Sequence, residues 1–415
     1  MDRHIAAPES VGMSAERLAR IKPCMRSFLD QYGYAGISTM LARHGQIIHY
    51  EHIGYQDRES KTPLSADTIF RIYSMTKPII CTAFMTLYEE GRFQLYTPVS
   101  KYLPTFGTLR VMTGLSRADP KEVDLLRPIT IRDLLTHTSG LTYNFLVDSP
   151  VNEMYRETGL MRNANRSLAD TIDDLTRMPL AFQPGKRWHY SMAIDVIAHL
   201  IQVISGQSLQ SFLEERIFKP LGMIDTGFSV APEKQPRLAS MYGHPDIASS
   251  TLFDIFIAWK SGFNQRIDLD QTYPSNNTTN FARGGHGLFS TAWDYMRFAQ
   301  MMLNRGELDG ARILSPRIVD FMHTNHLPLA LLPYEIGGVV SAGYGFGLGS
   351  RVLLNPIEAM LPGSAGEFGW SGAANTYYWV DPKEELIGIL MTQFMVGFEM
   401  PEKFLYTLAY QALLD

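Results

Sequence analysis

The apolar positions change period along the chain, and these changes outline its elements. Ser14 and Ala15 open an amphipathic stretch at helical spacing that runs to about Tyr32. The period then shortens. Gly36 to Ala42 and Ile47 to Gly54 are rich in β-branched and aromatic residues and flank Arg43-His44-Gly45, which predicts a hairpin. Helical spacing returns in the middle of the chain. Thr130 with Asp133 spells a capping box for a helix through Leu134. Helical patterns follow at Asp170 to Met178, Met192 to Ser205 and Leu209 to Phe218. A second box, Thr291 with Asp294, precedes Met296 to Leu303. Strand patterns reappear at Tyr344 to Leu348, Thr376 to Val380 and Leu386 to Gln393, with the turn Asp381-Pro382-Lys383-Glu384 joining the last two. A final helical pattern covers about Pro401 to Leu414.

Strands at both ends with helices between predict an α/β protein of the α+β type. One central antiparallel sheet, built from both termini and flanked by helices, would carry an inserted, mostly helical domain. The expected boundaries are residues 1–85 and 290–415 for the sheet domain and 86–289 for the insertion, with a site in the cleft between them. Phe106 to Arg127 and Ser240 to Asn280 read as long loops. Gly343, Gly345, Gly347 and Gly349 alternate with Tyr344, Phe346 and Leu348, which is a strand with one glycine face and not a dinucleotide loop.

Composition narrows the function. The chain has 415 residues, 45% hydrophobic and 19% charged, which is the balance of a folded protein. Lys+Arg 37 against Asp+Glu 42 leave a net charge of −5, and no basic run offers a nucleic-acid surface. The longest apolar run, around Pro78 to Leu87, falls far short of the roughly 20 residues that span a bilayer. Met1-Asp2-Arg3-His4 leads into no apolar signal core, so a cytoplasmic location is expected. The two cysteines, Cys24 and Cys81, cannot form a disulfide framework or a four-ligand zinc site, and are expected in the core. His323-x-x-His326 lacks a companion acidic motif and reads as a surface pair, so no metal or other cofactor is expected.

The most informative stretch is Tyr73-Ser74-Met75-Thr76-Lys77, at the start of an apolar helical run. Residues i and i+3 share a helix face. Ser74 would stand at the helix N-terminus, where free N–H groups and the dipole favour negative charge. Lys77 would be drawn into the interior, and burial favours the neutral, proton-accepting form of an amine. A serine nucleophile needs such a base. The plain alternative is a helix cap with a snorkelling lysine. Trp188-His189-Tyr190-Ser191-Met192 supplies a tyrosine able to hydrogen-bond the serine and lysine and to shuttle a proton. Gly366-Glu367-Phe368-Gly369-Trp370-Ser371-Gly372-Ala373-Ala374 precedes the C-terminal hairpin, and its glycines allow a ligand close to the backbone. Gly369 to Ala373 nearly matches the nucleophile elbow Gly-x-Ser-x-Gly, but Ala373 replaces the last glycine and no histidine follows His326.

In this order and spacing the three segments resemble the serine β-lactamase and penicillin-binding-protein superfamily. Leu134 to Leu141, Pro220-Leu221-Gly222-Met223 and Gly285 to Ser290 fit the same resemblance, which covers nearly the whole chain. Within the superfamily the sequence is most similar to the class C β-lactamase-type esterases, the family VIII carboxylesterases. The resemblance implies a β-lactamase/transpeptidase-like fold and an acyl-enzyme on Ser74. Lys77 and Tyr190 would together act as base and acid. The Ser74 and Ala373 N–H groups would hold the oxyanion, beside the Trp370-Ser371-Gly372 element. Tyr143 matches a site-edge aromatic. Tyr143, Phe145, Trp188, Phe289 and Trp370 are candidates for an apolar pocket.

Two departures point from lactamase to esterase. Trp370 stands where lactamases carry a basic residue that grips the antibiotic carboxylate, and it supplies apolar area instead. Tyr190-Ser191-Met192 lacks the terminal Asn typical of class C lactamases. The expected partner is therefore a small-molecule ester of short acyl chain, without nucleic acid or membrane. A β-lactamase, a D-amino-acid peptidase or an acyltransferase on the same fold is the alternative, and a non-catalytic acyl- or peptide-binding module is the reading from another class.

Overall fold

The computed structural model describes residues 4–114, 121–161, 166–243, 250–269, 281–395 and 400–414. The two ends of the chain build one antiparallel sheet. Its strands are β1 (Gly36–Arg43), β2 (Gln46–Asp57), β3 (Thr62–Pro63), β4 (Tyr344–Phe346), β5 (Arg351–Leu353), β6 (Phe368–Gly372), β7 (Thr376–Asp381) and β8 (Leu386–Thr392). They lie in the order β4-β5-β6-β7-β8-β1-β2-β3. The central pair joins the termini, with Ile37 opposite Thr392 and Arg43 opposite Leu386.

Both sheet faces are covered, so every residue of β1 is buried. Alternation sorts the side chains between two cores. Met40, Ile387, Ile389 and Met391 join the large core that continues into the helical part. Ile37, Leu386 and Leu390 face a second core under the N- and C-terminal helices. Trp379 of β7 is fully buried between strands, opposite Gly369 and Gly388. A Cβ on Gly388 would lie 1.9 Å from its ring. Gly388 thus makes room for the indole.

Six helices matter for the site and its support. They are α1 (Ile21–Tyr32), α2 (Thr76–Glu89), α3 (Ile131–Leu135), α4 (Ala193–Ser205), α5 (Ala292–Leu303) and α6 (Pro401–Tyr410). α2 packs on α4, and α5 lies across β7 and β8. The Thr130/Asp133 box forms as expected. No helix among the described residues is long and apolar enough to cross a membrane.

Several expectations need correction. The N-terminal helix is two helices, Ala15–Leu18 and α1. Pro23 breaks it, because its ring clashes with the carbonyl four residues earlier. Leu209 to Phe218 is an α-turn, Leu209–Leu213, followed by a π-turn, Glu214–Phe218. The widened turn comes just ahead of Pro220, which regular helix geometry does not accommodate. The second capping box is only half made. Thr291 accepts the Asp294 N–H, but the Asp294 carboxylate takes the Asp225 N–H and the Thr226 hydroxyl instead. The Asp170 pattern begins earlier, at Leu168–Leu175, and the last helix ends at Tyr410.

The expected loops are partly structured. Arg110–Met112 pairs with Glu122–Asp124, and Leu252–Lys260 is a helix. Residues 115–120, 244–249 and 270–280 of these segments lie outside the described residues. The glycine-faced strand is shorter than expected, Tyr344–Phe346. Its glycine face meets the chain near α5's neighbour Pro316–Met322: a Cβ on Gly345 would lie 2.5 Å from Asn325 Oδ1, and on Gly347 2.1 Å from the Met322 carbonyl. His323 is half-buried, not a surface side chain. Its ring stacks on Phe368 at 3.5 Å and its Nδ1 bonds the Val319 carbonyl. His326 Nε2 bonds the Phe321 carbonyl. Both rings are held by backbone. Cys81 is buried, whereas Cys24 is half-buried.

Candidate active site

Ser74 sits on a tight turn, Tyr73–Met75, immediately before α2. Tyr73 adopts φ +42°, a strained left-handed conformation for an aromatic residue. Four hydrogen bonds hold the turn in place. Ile72 N–H donates to the Leu288 carbonyl (3.1 Å), and Leu288 N–H donates to Thr76 Oγ1 (3.1 Å). The Tyr295 hydroxyl donates to the Met75 carbonyl (2.9 Å), and Thr376 Oγ1 donates to the Ile72 carbonyl (3.3 Å). Gly372 lets β6 approach, since a Cβ there would lie 2.4 Å from the Ile72 carbonyl.

The three residues singled out for chemistry converge. Lys77 Nζ donates to Ser74 Oγ at 2.9 Å and to the Gly285 carbonyl at 2.7 Å. The Tyr190 hydroxyl donates to Ser74 Oγ at 2.7 Å. Lys77 is 1% exposed, and its Nζ lies 4.5 Å from the Tyr190 ring centre and 5.3 Å from that of Tyr143. Both rings pack against the amine and shield it from water. The Tyr190 segment is positioned by backbone: His189 N–H donates to the His137 carbonyl (2.8 Å) and Met192 N–H to the Thr142 carbonyl (3.1 Å).

The remaining candidates divide. Trp370 and Gly372 share one side of β6, with Trp370 5.7 Å from the Tyr190 ring. Ser371 is exposed on the opposite pleat and does not meet Ser74. Ala373 follows at the strand end and packs against the small cluster that contains Tyr73, Met241 and Met395. Neither the Ser74 nor the Ala373 N–H donates to a backbone acceptor among the described residues. Tyr143 lies beneath Tyr190, not at the site edge: it is 2% exposed and stacked on Phe145 at 4.8 Å. Burial, then Tyr190 and Asp195, hold its phenol well above the usual range. Trp188 stands 6.3 Å from Tyr190. Phe289 is elsewhere, packed with Ile69 and Val230 and covered by Arg71. Its strand pairs with Phe70–Arg71, which turns the ring from the site.

Sequence reasoning missed other members. Phe346 meets Trp370 edge-on at 5.3 Å and Trp188 at 5.4 Å, completing an aromatic wall around Tyr190. His137 lies 5.1 Å from the Tyr190 ring. Burial, with Lys77 and His189 nearby, holds its imidazole well below the usual range, so it is neutral. Gly285 and Asp195 stand behind Lys77, with Gly285 N–H donating to Asp195 Oδ1 at 3.0 Å. Burial raises the Asp195 carboxyl above its ordinary range, against the pull of the Gly285 N–H and of Lys77 and Arg283. One signal was available: Asp195 lies among Ile194, Val196 and Ile197, where an unpaired charge is costly. No cluster of metal-ligating side chains occurs among the described residues.

A family model described as Beta-lactamase matches residues 21–412. Protein Rv1367c of Mycobacterium tuberculosis is 34% identical over 374 residues, covering 89% of this chain and 88% of that protein. Esterase EstB of Burkholderia gladioli is 30% identical over 395 residues, 93% of each chain. Among solved structures, EstCE1, described as a hydrolase with promiscuous acyltransferase activity, superposes with a TM-score of 0.77 at 25% identity, covering 96% of this chain and 99% of that one.

Proposed function

The chain belongs to the β-lactamase family, and from that premise we propose that it is a serine carboxylesterase hydrolysing small or short-acyl, uncharged esters through a Ser74 acyl-enzyme. The observation that carries this reading is the pair of hydrogen bonds converging on Ser74 Oγ, from Lys77 Nζ and Tyr190. As Ser74 attacks the ester carbonyl, its proton passes into the Lys77/Tyr190 pair. The same pair returns a proton to the departing alkoxide. The Ser74 and Ala373 N–H groups take the developing oxyanion, and each such donor contributes about 3–4 kcal/mol to lowering the barrier. Water activated by the same pair then releases the acid.

The ester reading is supported by the wall as well as by the relationship to EstB. Trp188, Phe346 and Trp370 offer apolar area and no cation for an anionic substrate. Ser74→Ala is expected to abolish hydrolysis of p-nitrophenyl acetate and labelling by a fluorophosphonate. Full activity in that variant would overturn the assignment.

A second reading, acyl transfer to an alcohol, is favoured by the description of EstCE1. Hydrolysis and butyl-ester formation measured in parallel with added 1-butanol separate the two. Nitrocefin and D-alanyl peptides complete the panel, and the esterase assignment fails if esters are the poorest substrates.

A further inference from the structure

Behind Lys77 the protein buries a carboxylate in the first turn of α4. Asp195 is fully buried on α4, flanked by Ile194, Val196 and Ile197, which are equally buried. Its Oδ1 accepts the Gly285 N–H, while its Oδ2 has no hydrogen-bond partner among the described residues. A half-satisfied buried carboxylate is a poor stabilising device, because desolvation costs more than one hydrogen bond returns. What that hydrogen bond holds is the residue whose carbonyl receives Lys77 Nζ at 2.7 Å.

Gly285 is suited to this link. A Cβ there would lie 2.6 Å from Asp195 Oδ2 and 2.7 Å from the Tyr143 hydroxyl. Only a glycine lets the strap between α4 and Lys77 sit so close. Of the hydrogen bonds made by Lys77, the one to Ser74 engages the reacting atom, so Gly285 is its fixed anchor. An amine on four rotatable bonds needs such an anchor to keep its nitrogen at hydrogen-bond distance from the nucleophile.

We propose that Asp195 is a positioning residue for catalysis: by holding the Gly285 amide, it fixes the Gly285 carbonyl against Lys77 and so keeps the amine on Ser74. The proposal rests on the reading of Lys77 as part of the base. It acts through a hydrogen bond and needs an acceptor at Oδ1, not a charge.

The test compares Asp195→Asn, Asp195→Ala and Gly285→Ala in the full chain, with p-nitrophenyl acetate kinetics, melting temperature and the rate of fluorophosphonate labelling. The Asn variant keeps the acceptor and is expected within about 3-fold of wild-type kcat. The Ala variant is expected to lose about 10-fold or more in kcat, with KM nearly unchanged and labelling slowed in step. Gly285→Ala, which displaces the anchor but retains the carboxylate, is expected to do the same. It decides the matter should Asp195→Ala fail to fold. Wild-type kcat in a folded Asp195→Ala, an equal loss in Asn and Ala, or a rise in KM alone would overturn the proposal. Ser74→Ala separates the two failures. If it stays active, the underlying serine-hydrolase reading is wrong, and if it is inactive while the Asp195 variants are normal, only the positioning role falls.

Discussion

Tyr190→Phe removes one oxygen and leaves the walls of the site standing. The Tyr190 ring packs against His137 at 5.1 Å, Tyr143 at 5.0 Å, Trp370 at 5.7 Å and Trp188 at 6.3 Å, and phenylalanine keeps all four contacts. The hydroxyl's hydrogen bond goes to Ser74 Oγ, which retains Lys77 as a partner when the hydroxyl is lost. The structural cost is therefore that of one ordinary hydrogen bond, about 0.5–1.5 kcal/mol. In a chain of this size, that moves the melting temperature by only about 2 °C. A purely packing role would likewise cost no more than about 10-fold in rate, since 1.4 kcal/mol is a factor of ten. A proton-transfer role costs about 100- to 10,000-fold, or about 3–5 kcal/mol of barrier. Steady-state kcat on p-nitrophenyl acetate, with melting curves on the same samples, distinguishes the two. A loss below about 10-fold with an unchanged melting temperature would refute the role given to Tyr190.

Two further outcomes are expected. Trp370→Lys places a cation on β6 beside Tyr190 and is expected to raise nitrocefin turnover relative to ester turnover by about 10-fold; an unchanged ratio would separate Trp370 from substrate choice. Burial pushes the Asp294 carboxyl up to about 6, against an ordinary value of about 3.9 in the unfolded chain. The folded state holds this proton more tightly, so the group's contribution to stability is highest below about pH 4 and falls by about 3 kcal/mol as the pH rises through about 6. Asp294→Asn removes that slope, and its melting temperature should gain on wild type between pH 4 and pH 8; a pH-independent difference would refute the linkage.

The legible parts of the molecule were those written locally. The β1–β2 hairpin announces itself by its turn, the Thr130/Asp133 box by three-residue spacing, and Ser74 with Lys77 by one helical turn. Illegible parts depended on partners far along the chain. Arg351–Leu353 and the glycine-rich Phe368–Gly372 are strands because neighbours on both sides pair with them, not by propensity. Phe289 has the composition of a pocket residue but was placed elsewhere by its pairing with β-residues Phe70–Arg71. Phe346 reached the aromatic wall, and Gly285 reached Lys77, through contacts that no local pattern encodes. Asp294 shows the opposite case, a correct local motif whose carboxylate was claimed by distant donors.

The pairing of Ile37 with Thr392 also sets a clock. β1 leaves the ribosome long before β8, the strand that covers its open edge, and hundreds of residues separate the two. At about 5–20 residues per second, the hairpin waits tens of seconds for its partner. During that time it presents an unpaired, apolar edge of the kind that recruits other chains. β6, which closes against the Ser74 turn, arrives equally late. Until β6 is made, a chain that already holds Lys77 and Tyr190 still lacks the strand that closes on the nucleophile turn. The nucleophile turn therefore gains its last support only after β6 has been made, long after Ser74 itself.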